Sequence, residues 1–213
     1  MSSFDAFDKV YVVHLPNAQR GLHITSELER VGLGRFKFVA TEAPAKGFTV
    51  PNMRRNPRAE FGVALGHIAA IVQAIADRAE RPLFLEDDVI FRVKSSPLPD
   101  KWDVLYLGGH PRGPAQLVAP GIAKVGKFSC AEAYSIRGGL LVEFHRYWLS
   151  RITKPDAMYD FILGEFAWMH DRESYAAYPV VTEQAQFVSH IKGEIDDKRE
   201  LVERGWRNNL STK

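Results

Sequence analysis

The first forty residues limit the fold more narrowly than any other part of this chain. Residues 9–15 (KVYVVHL) are almost continuously apolar and rich in β-branched side chains, which is typical of a strand buried on both faces of a largely parallel sheet. Apolar positions in residues 18–31 then recur near helical spacing, and Gly32 is a natural stop. Residues 35–40 (RFKFVA) alternate in polarity and predict a second strand. Strand, helix and strand in this order form a βαβ unit, which predicts an α/β protein with right-handed crossovers.

The remaining sequence continues the alternation of helices and strands. Residues 42–58 predict a long loop that carries Arg54, Arg55 and Arg58, and residues 110–126 contain several Gly and Pro and show no clear period. We expect residues 1–193 to form one domain and the charged residues 194–213 to form a surface helix and a frayed tail. The other predicted elements are helices over 60–79, 138–150 and 160–170, and strands from Pro82 to the acidic residues that follow it and over 102–107, 131–136 and 175–181.

Composition places the chain among ordinary globular proteins. Its 213 residues fit one α/β domain, and 46% of them are hydrophobic and 25% charged. A net charge of +2 neither requires nor excludes a polyanionic partner, and the single Cys130 excludes an internal disulfide. Residues 10–13 are too short an apolar run for a signal peptide, and no segment approaches the roughly 20 apolar residues of a membrane span. We therefore expect a soluble, cytoplasmic protein, with a peripheral position at a membrane surface left open.

An acidic triplet ends the strand that begins at Pro82. In residues 83–89 (LFLEDDV), an apolar run delivers Glu86, Asp87 and Asp88 in succession, and the chain turns apolar again directly afterwards. Adjacent carboxylates repel one another and are costly to bury unpaired, so they require a cation or solvent. A hard divalent ion, Mn²⁺ or Mg²⁺, that holds a nucleotide's phosphates satisfies this requirement, and a solvated acidic turn is the alternative.

Six short blocks, spread in order over nearly the whole chain, together resemble one family. They resemble glycosyltransferase family 25, the lipopolysaccharide and lipo-oligosaccharide type, which also includes the collagen galactosyltransferase domains. Their order and spacing carry the resemblance, since any single block is a weak signal. The blocks are VYVVHL (10–15) with Arg20, FGVALGH (61–67), LEDDV (85–89), WDVLYLG (102–108), AYSI (133–136) before a glycine pair, and a last block of Tyr178, Pro179, Gln184 and FVSHI (187–191).

The chain departs from the family pattern at three places. The family's Asn-Leu-Asp-Arg stretch after the first strand is here His14, Leu15, Pro16 and Asn17. Gly66 replaces a Ser, and His190 replaces an Asp. These departures indicate a divergent member, with a different sugar or acceptor as one consequence.

The resemblance implies a GT-A-like single domain, a bound metal ion and a nucleotide-sugar donor. By this analogy Asp88 is the direct metal ligand, Glu86 contacts the metal or the donor's ribose, and Asp87 contacts the donor or simply points into a turn. His190 lies in a late segment where GT-A enzymes supply a second metal ligand, and a structural or exposed histidine is the alternative.

Glycosyl transfer with inversion also requires a general base for the acceptor hydroxyl, commonly a carboxylate. Asp160, at the start of a predicted helix, best matches the family's Asp-X-X-Leu element, although a residue that caps the helix would have the same position. Asp156 is a second candidate, with Glu165 in reserve.

The remaining candidates are contacts to the donor. Each has an ordinary structural alternative: Arg20 on a solvated face, His67 as a hydrogen-bonded core residue, and Gly108 as the end of a strand. The arginines of the long loop could close over the diphosphate. The donor-binding candidates are His14, Leu15, Arg20, His67, Glu86, Asp87, Gly108 and Gln184.

These observations predict a metal-dependent glycosyltransferase that moves a hexose from a nucleotide-sugar, a UDP-sugar, to a hydroxyl of a saccharide or another polymer. A modified nucleobase or a protein side chain remains open as acceptor. A nucleotidyltransferase normally has a glycine-rich loop after its first strand, and residues 14–20 contain no glycine. A transferase fold that only binds saccharide or a partner is the non-catalytic alternative.

Overall fold

The computed structural model describes residues 3–41, 57–130, 132–152, 158–185 and 198–211, and only the backbone of residues 57–59. Its helices are α1 (Ala18–Arg30), α2 (Pro57–Ala76), α3 (Leu141–Arg151), α4 (Tyr159–Met169) and α5 (Arg199–Asn209), with short 3-10 turns at Ser3–Ala6 and Gly138–Leu140. Its strands are β1 (Lys9–His14), β2 (Lys37–Ala40), β3 (Pro82–Glu86), β4 (Val89–Phe91), β5 (Val104–Tyr106), β6 (His110–Pro111), β7 (Ala115–Ala119), β8 (Ile122–Val125), β9 (Phe128–Ser129), β10 (Ala133–Ile136), β11 (Ser174–Ala177), β12 (Thr182–Gln184) and β13 (Leu210–Ser211).

A nine-stranded sheet organises the molecule, in the order β13-β7-β8-β11-β5-β10-β3-β1-β2. The pairings give every strand one common direction except β8 and β10, which run the opposite way. The α/β class with a mostly parallel central sheet flanked by helices is therefore confirmed. The small sheets β12-β4 and β6-β9 stand beside the large one.

Hydrophobic cores cover both faces of the sheet, as the continuous apolar run of β1 predicts. Tyr11 and Val13 point into one core, which contains residues of α2, α3, α4 and α5. Val10 and Val12 point into the other, which contains residues of α1 and the N-terminal turn. Successive side chains of a strand point to opposite faces, so a strand buried on both sides must be apolar throughout.

Local signals fix α1 beside the carboxyl end of β1. Asn17 caps the helix, because its side-chain oxygen accepts hydrogen bonds from the backbone N–H groups of Gln19 (2.9 Å) and Arg20 (3.2 Å). Gly32, with φ of 82°, follows the C-terminal end, where a residue with a side chain would be strained. The connection from β1 to α1 is thus only Leu15, Pro16 and Asn17.

Two parts of the chain differ from the expectation. Residues 110–126, which show no period, contain the antiparallel hairpin of β7 and β8. The sequence signal is weak because β7 is mostly exposed and does not alternate regularly in polarity. Residues 199–211, which were expected to include a frayed tail, are ordered as α5 and β13. Trp206 of α5 is buried and donates from Nε1 to the carbonyl of Gly109 (2.9 Å), and β13 pairs with β7.

Across the described ranges, none of the helices combines the length and the apolar character that crossing a bilayer requires.

Candidate active site

The acidic triplet lies at the carboxyl edge of the two central parallel strands. In the register of β1 and β3, Val13 stands opposite Glu86, so the end of β3 and the start of the β1–α1 connection are neighbours. Glu86 is the last residue of β3, and Asp87 and Asp88 form the turn that leads into β4. Ligands of open α/β sheets bind beyond this edge of the strands.

Asp87 is a buried anchor for the β1–α1 connection. Its Oδ2 accepts from His14 Nδ1 (2.9 Å) and from the backbone N–H of Leu15 (3.1 Å), and its Oδ1 accepts from Arg20 Nη1 (2.6 Å). The structure thus brings together His14, Leu15, Arg20 and Asp87, which are four of the predicted donor-binding residues. Their polar groups form hydrogen bonds with one another. These contacts fix the position of the Arg20 guanidinium relative to the triplet.

Glu86 is held at both carboxylate oxygens. His67 Nε2 lies 3.4 Å from Oε1, and Gln184 Nε2 donates to Oε2 at 2.9 Å. Burial raises the pKa of Glu86, but the hydrogen bond with His67, together with Lys198 and Gln184, outweighs it and leaves this pKa below its ordinary value. Glu86 is therefore an oriented carboxylate, with a side chain that remains 24% exposed.

Asp88 differs from both of its neighbours. Its Oδ1 is buried without a hydrogen-bond partner among the described residues, and its Oδ2 lies 3.5 Å from Arg20 Nη1. Burial, followed by the charge of Glu86, raises the pKa of Asp88 to about 7, against the opposing charge of Arg20. A carboxylate oxygen in this condition lacks a cation or a donor.

Glu132 is a further carboxyl group of this site, and no sequence pattern predicted it. The backbone carbonyl of Glu132 accepts from the N–H of Glu86 (2.9 Å), its side chain is buried, and its Oε2 has no partner among the described residues. Burial raises the pKa of Glu132 to about 8, the positive charge of Lys198 lowers it, and Glu86 and Asp88 add to the rise. Only the three-dimensional arrangement identifies this residue, since a single glutamate before a strand is an unremarkable pattern.

Gly108 lies directly against this group. A Cβ atom on Gly108 would lie 2.4 Å from Glu132 Oε1 and 2.4 Å from Thr182 Oγ1, so a larger residue here would displace these side chains. Thr182 Oγ1 is also buried without a partner among the described residues. The glycine expected to admit a ligand thus admits two polar side chains of the protein.

A positive charge lies close to the carboxylates. Burial lowers the pKa of Lys198, but its electrostatic interactions with Cys130, Glu86, Glu132 and Asp160 outweigh it and hold this pKa above its usual range. Lys198 therefore remains an ammonium group that offsets part of the negative charge of the site.

Asp160 stands at the start of α4, as its position in the sequence predicts. Its Oδ2 accepts from the backbone N–H of Cys130 (3.1 Å), and its Oδ1 accepts from the N–H of Phe161 (3.0 Å). Cys130 has a φ of 71°, and this bond contributes to holding that strained backbone. Asp160 is partly exposed, so it retains accessible lone pairs besides its structural bonds.

Several predicted residues lie outside the described ranges. Asp156, His190, Arg54 and Arg55 belong to this group, and the side chain of Arg58 is not described. His67 is described and is fully buried, so it reaches the site through Glu86.

The carboxylates fit a divalent cation in part. Glu86 and Asp88 offer hard oxygen atoms, and Oδ1 of Asp88, which has no partner in the described ranges, is the atom that a cation would satisfy. Within the part of the chain that the structure describes, no three His, Cys, Asp or Glu side chains are arranged to hold a metal ion. A cation here would need further ligands, and Mg²⁺ and Mn²⁺ commonly take these from phosphates and water.

A surface groove of about 750 Å³ lies at the opposite, amino edge of the sheet. Its lining includes Arg81, Trp102 and Arg137, and it shares no residue with the triplet. The candidate site is thus defined by its side-chain chemistry and not by a cavity.

Comparison with known proteins gives only distant matches. No family model matches the chain, and no curated protein matches its sequence. Among solved structures, the chain is similar to A197 from STIV, with 14% identity over 84% of this chain and 85% of that chain and a TM-score of 0.46. It is also similar to a glycosyltransferase involved in the glycosylation of the major capsid of PBCV-1, with 13% identity over 81% and 77% of the two chains and a TM-score of 0.43.

A third solved structure is the nucleoside-diphosphate-sugar pyrophosphorylase from Vibrio cholerae RC9, with 14% identity over 79% of this chain and 71% of that chain and a TM-score of 0.43. Similarities of this size do not establish a shared function. The resemblance to family 25 therefore rests on the sequence blocks.

Proposed function

We propose that this protein is a divergent member of glycosyltransferase family 25 that transfers a hexose from a UDP-sugar to a hydroxyl of a saccharide or another polymer. One observation carries the proposal: the triplet divides into a buried anchor, Asp87, and two partly exposed carboxylates, Glu86 and Asp88. A merely solvated acidic turn would not leave Asp88 Oδ1 buried and without a hydrogen-bond partner among the residues that the structure describes. Lipo-oligosaccharide is the acceptor that the resemblance favours, in the cytoplasm or at a membrane surface.

Asp88 and Glu86 are the proposed ligands for Mn²⁺ or Mg²⁺. Such an ion, when bound with the donor, supplies a Lewis acid that neutralises the leaving diphosphate. Arg20 is held by Asp87 with its guanidinium toward Asp88, so it adds positive charge where the diphosphate would lie. His190 stays a proposed further ligand.

Asp160 is the proposed general base, with Asp156 as the second candidate. Backbone N–H groups fix both oxygens of Asp160, and a carboxylate with two bonds retains lone pairs for an acceptor hydroxyl. Attack by that hydroxyl on the anomeric carbon, opposite to the leaving diphosphate, inverts the configuration. The proton then passes from the hydroxyl to the carboxylate.

A nucleotidyltransferase is disfavoured by the β1–α1 connection. This connection consists of Leu15, Pro16 and Asn17, contains no glycine, and uses its Leu15 N–H to bond Asp87. It offers no row of free backbone N–H groups for a triphosphate.

The proposal is tested by a thermal-shift screen of UDP-, GDP-, CMP- and TDP-sugars with and without Mn²⁺. A ligand that binds only the folded state raises the melting temperature with its occupancy. We expect a Mn²⁺-dependent rise with one nucleotide, followed by slow cation-dependent hydrolysis of that sugar donor. No rise with any nucleotide would contradict the proposal and would favour a protein that only binds saccharide or a partner.

A further inference from the structure

A chain of hydrogen-bonded side chains leads from Glu86 into the core. Glu86 Oε1 lies 3.4 Å from His67 Nε2, and His67 Nδ1 lies 3.2 Å from the hydroxyl of Tyr134. The Tyr134 hydroxyl lies 2.5 Å from that of Tyr159. The four residues come from β3, α2, β10 and α4, so the chain joins four separate elements.

The hydrogen bonds of this chain can all run in one direction. With the ring proton on His67 Nε2, His67 donates to Glu86 and accepts at Nδ1 from the Tyr134 hydroxyl. Tyr134 then accepts from Tyr159, which leaves each hydroxyl proton with one partner. Hydrogen bonds aligned in this way polarise and strengthen one another in a buried environment.

Packing holds the chain in place. His67, Tyr134 and Tyr159 are all buried, and the rings of His67 and Tyr159 stack at 4.2 Å with an interplanar angle of 12°. Tyr134 stacks in turn on Phe84 at 5.1 Å. None of the three side chains can touch a bound ligand directly, so any influence on the site must pass through Glu86 or through α4.

We infer that His67, Tyr134 and Tyr159 are positioning residues that orient the Glu86 carboxylate for cation and donor binding. The inference rests on the proposed function, because it gives these three residues a role in that same site. Gln184 fixes the other oxygen of Glu86, so the carboxylate cannot rotate without breaking a bond on one side. Tyr159 also precedes Asp160, so this series of hydrogen-bonded side chains sets the position of the start of α4 relative to the acidic triplet.

The protein contains a matched control for Tyr134. Tyr11 is also buried and also stacks on Phe84 (5.6 Å), and its hydroxyl donates to a carboxylate outside the site, Asp77 Oδ2 at 2.8 Å. Tyr11→Phe and Tyr134→Phe thus each remove one buried hydroxyl beside the same ring. Only Tyr134 is connected to Glu86.

The experiment is calorimetric titration of UDP into the wild type and both variants with Mn²⁺ present, with urea unfolding of each protein as the measure of stability. Removing a direct outer partner of a metal ligand typically weakens binding by about 10-fold or more, and because Tyr134 acts one bond further out, through His67, we expect a measurable but smaller loss in Tyr134→Phe. Tyr11→Phe should lose stability and keep its affinity for UDP. Equal affinities in the wild type and Tyr134→Phe would overturn the inference.

A double-mutant cycle with Glu86→Gln, titrated at raised ligand concentration, identifies the route of the effect. If Tyr134 acts through Glu86, Tyr134→Phe should change UDP affinity much less in the Glu86→Gln protein than in the wild type. Equal losses in both would overturn the inference while wild-type binding still supported the proposed function. No Mn²⁺-dependent binding of UDP or any other nucleotide by the wild type would overturn the proposed function itself, and the inference with it.

Discussion

Arg20 and Asp87 form a buried ion pair, with Nη1 of the arginine 2.6 Å from Oδ1 of the aspartate. Asp88, the next residue, lies 3.5 Å from the same nitrogen and keeps a second oxygen without a partner among the described residues. Adjacent aspartates therefore have opposite roles, since one holds the fold together and the other is left available for a ligand.

Substitution of the two aspartates should separate these roles. Asp87→Asn removes the carboxylate that pairs with the buried Arg20 at 2.6 Å, and loss of one partner of such a pair typically costs about 3–5 kcal/mol of stability. At pH 8 the ionised Asp88 carboxylate is less favourable in the folded than in the unfolded protein, because burial and the charge of Glu86 raise its pKa. The free energy of unfolding of Asp88→Asn at this pH should therefore equal or exceed that of the wild type. Urea unfolding of both variants measures these free energies, and equal destabilisation by the two substitutions would contradict the separate roles of Asp87 and Asp88.

The buried Glu132 should make stability depend on pH. Its pKa is about 8 in the folded protein, above the ordinary 4.5, so between these values the folded state retains a proton that the unfolded state has lost. Stability conferred by this proton is present at pH 4.5 and declines as pH rises to about 8, by at most about 1.4 kcal/mol per pH unit. Glu132→Gln should flatten this decline in urea unfolding from pH 5 to 8. The exposed Glu29→Gln is the control, and an unchanged slope in Glu132→Gln would contradict the expectation.

Gly66 should not tolerate the Ser that the family has at this position. A Cβ atom there would lie 2.7 Å from Val13 Cγ1 and 2.8 Å from Thr41 Cβ, where α2 packs against β1. Gly66→Ser should therefore destabilise the protein by about 1–3 kcal/mol through overpacking. Gly34→Ala is a suitable control, because nothing lies within 4 Å of a Cβ atom at Gly34. Wild-type stability in Gly66→Ser would show that α2 can shift to make room.

Helix α5 should contribute to the stability of the fold. Trp206→Phe removes the bond from Nε1 to the Gly109 carbonyl, and a lost buried hydrogen bond costs about 1–3 kcal/mol. Trp168→Phe changes a tryptophan that is 53% exposed and should have little effect on thermal unfolding. An equally small effect at Trp206 would mean that α5 is only loosely attached.

The sequence predicts those parts of the fold whose signals are local. The apolar run of β1, the cap at Asn17 and the acidic residues after β3 each lie within a few positions, and the structure places them together at one edge of the sheet. The antiparallel strands β8 and β10 could not be oriented in advance, because strand direction depends on pairing between distant segments.

The site was predictable only where the triplet itself gives the signal. Glu132 faces Gly108 because β10 pairs with β5, and Thr182 does so because its backbone N–H bonds to the carbonyl of Leu107, and no short motif records that arrangement. His67 was expected either to contact the donor or to be a core histidine. It is buried and bonded to Tyr134 and Glu86, contacts that link segments far apart in the sequence.

We propose that Asp88 binds a nucleotide through a divalent cation. Calorimetric titration of UDP into the wild type and Asp88→Asn, each with and without Mn²⁺, tests this proposal. We predict binding by the wild type only when Mn²⁺ is present, and its loss in a folded Asp88→Asn protein. Equal affinity of the two proteins for UDP, or wild-type binding that does not change with Mn²⁺, would contradict the account.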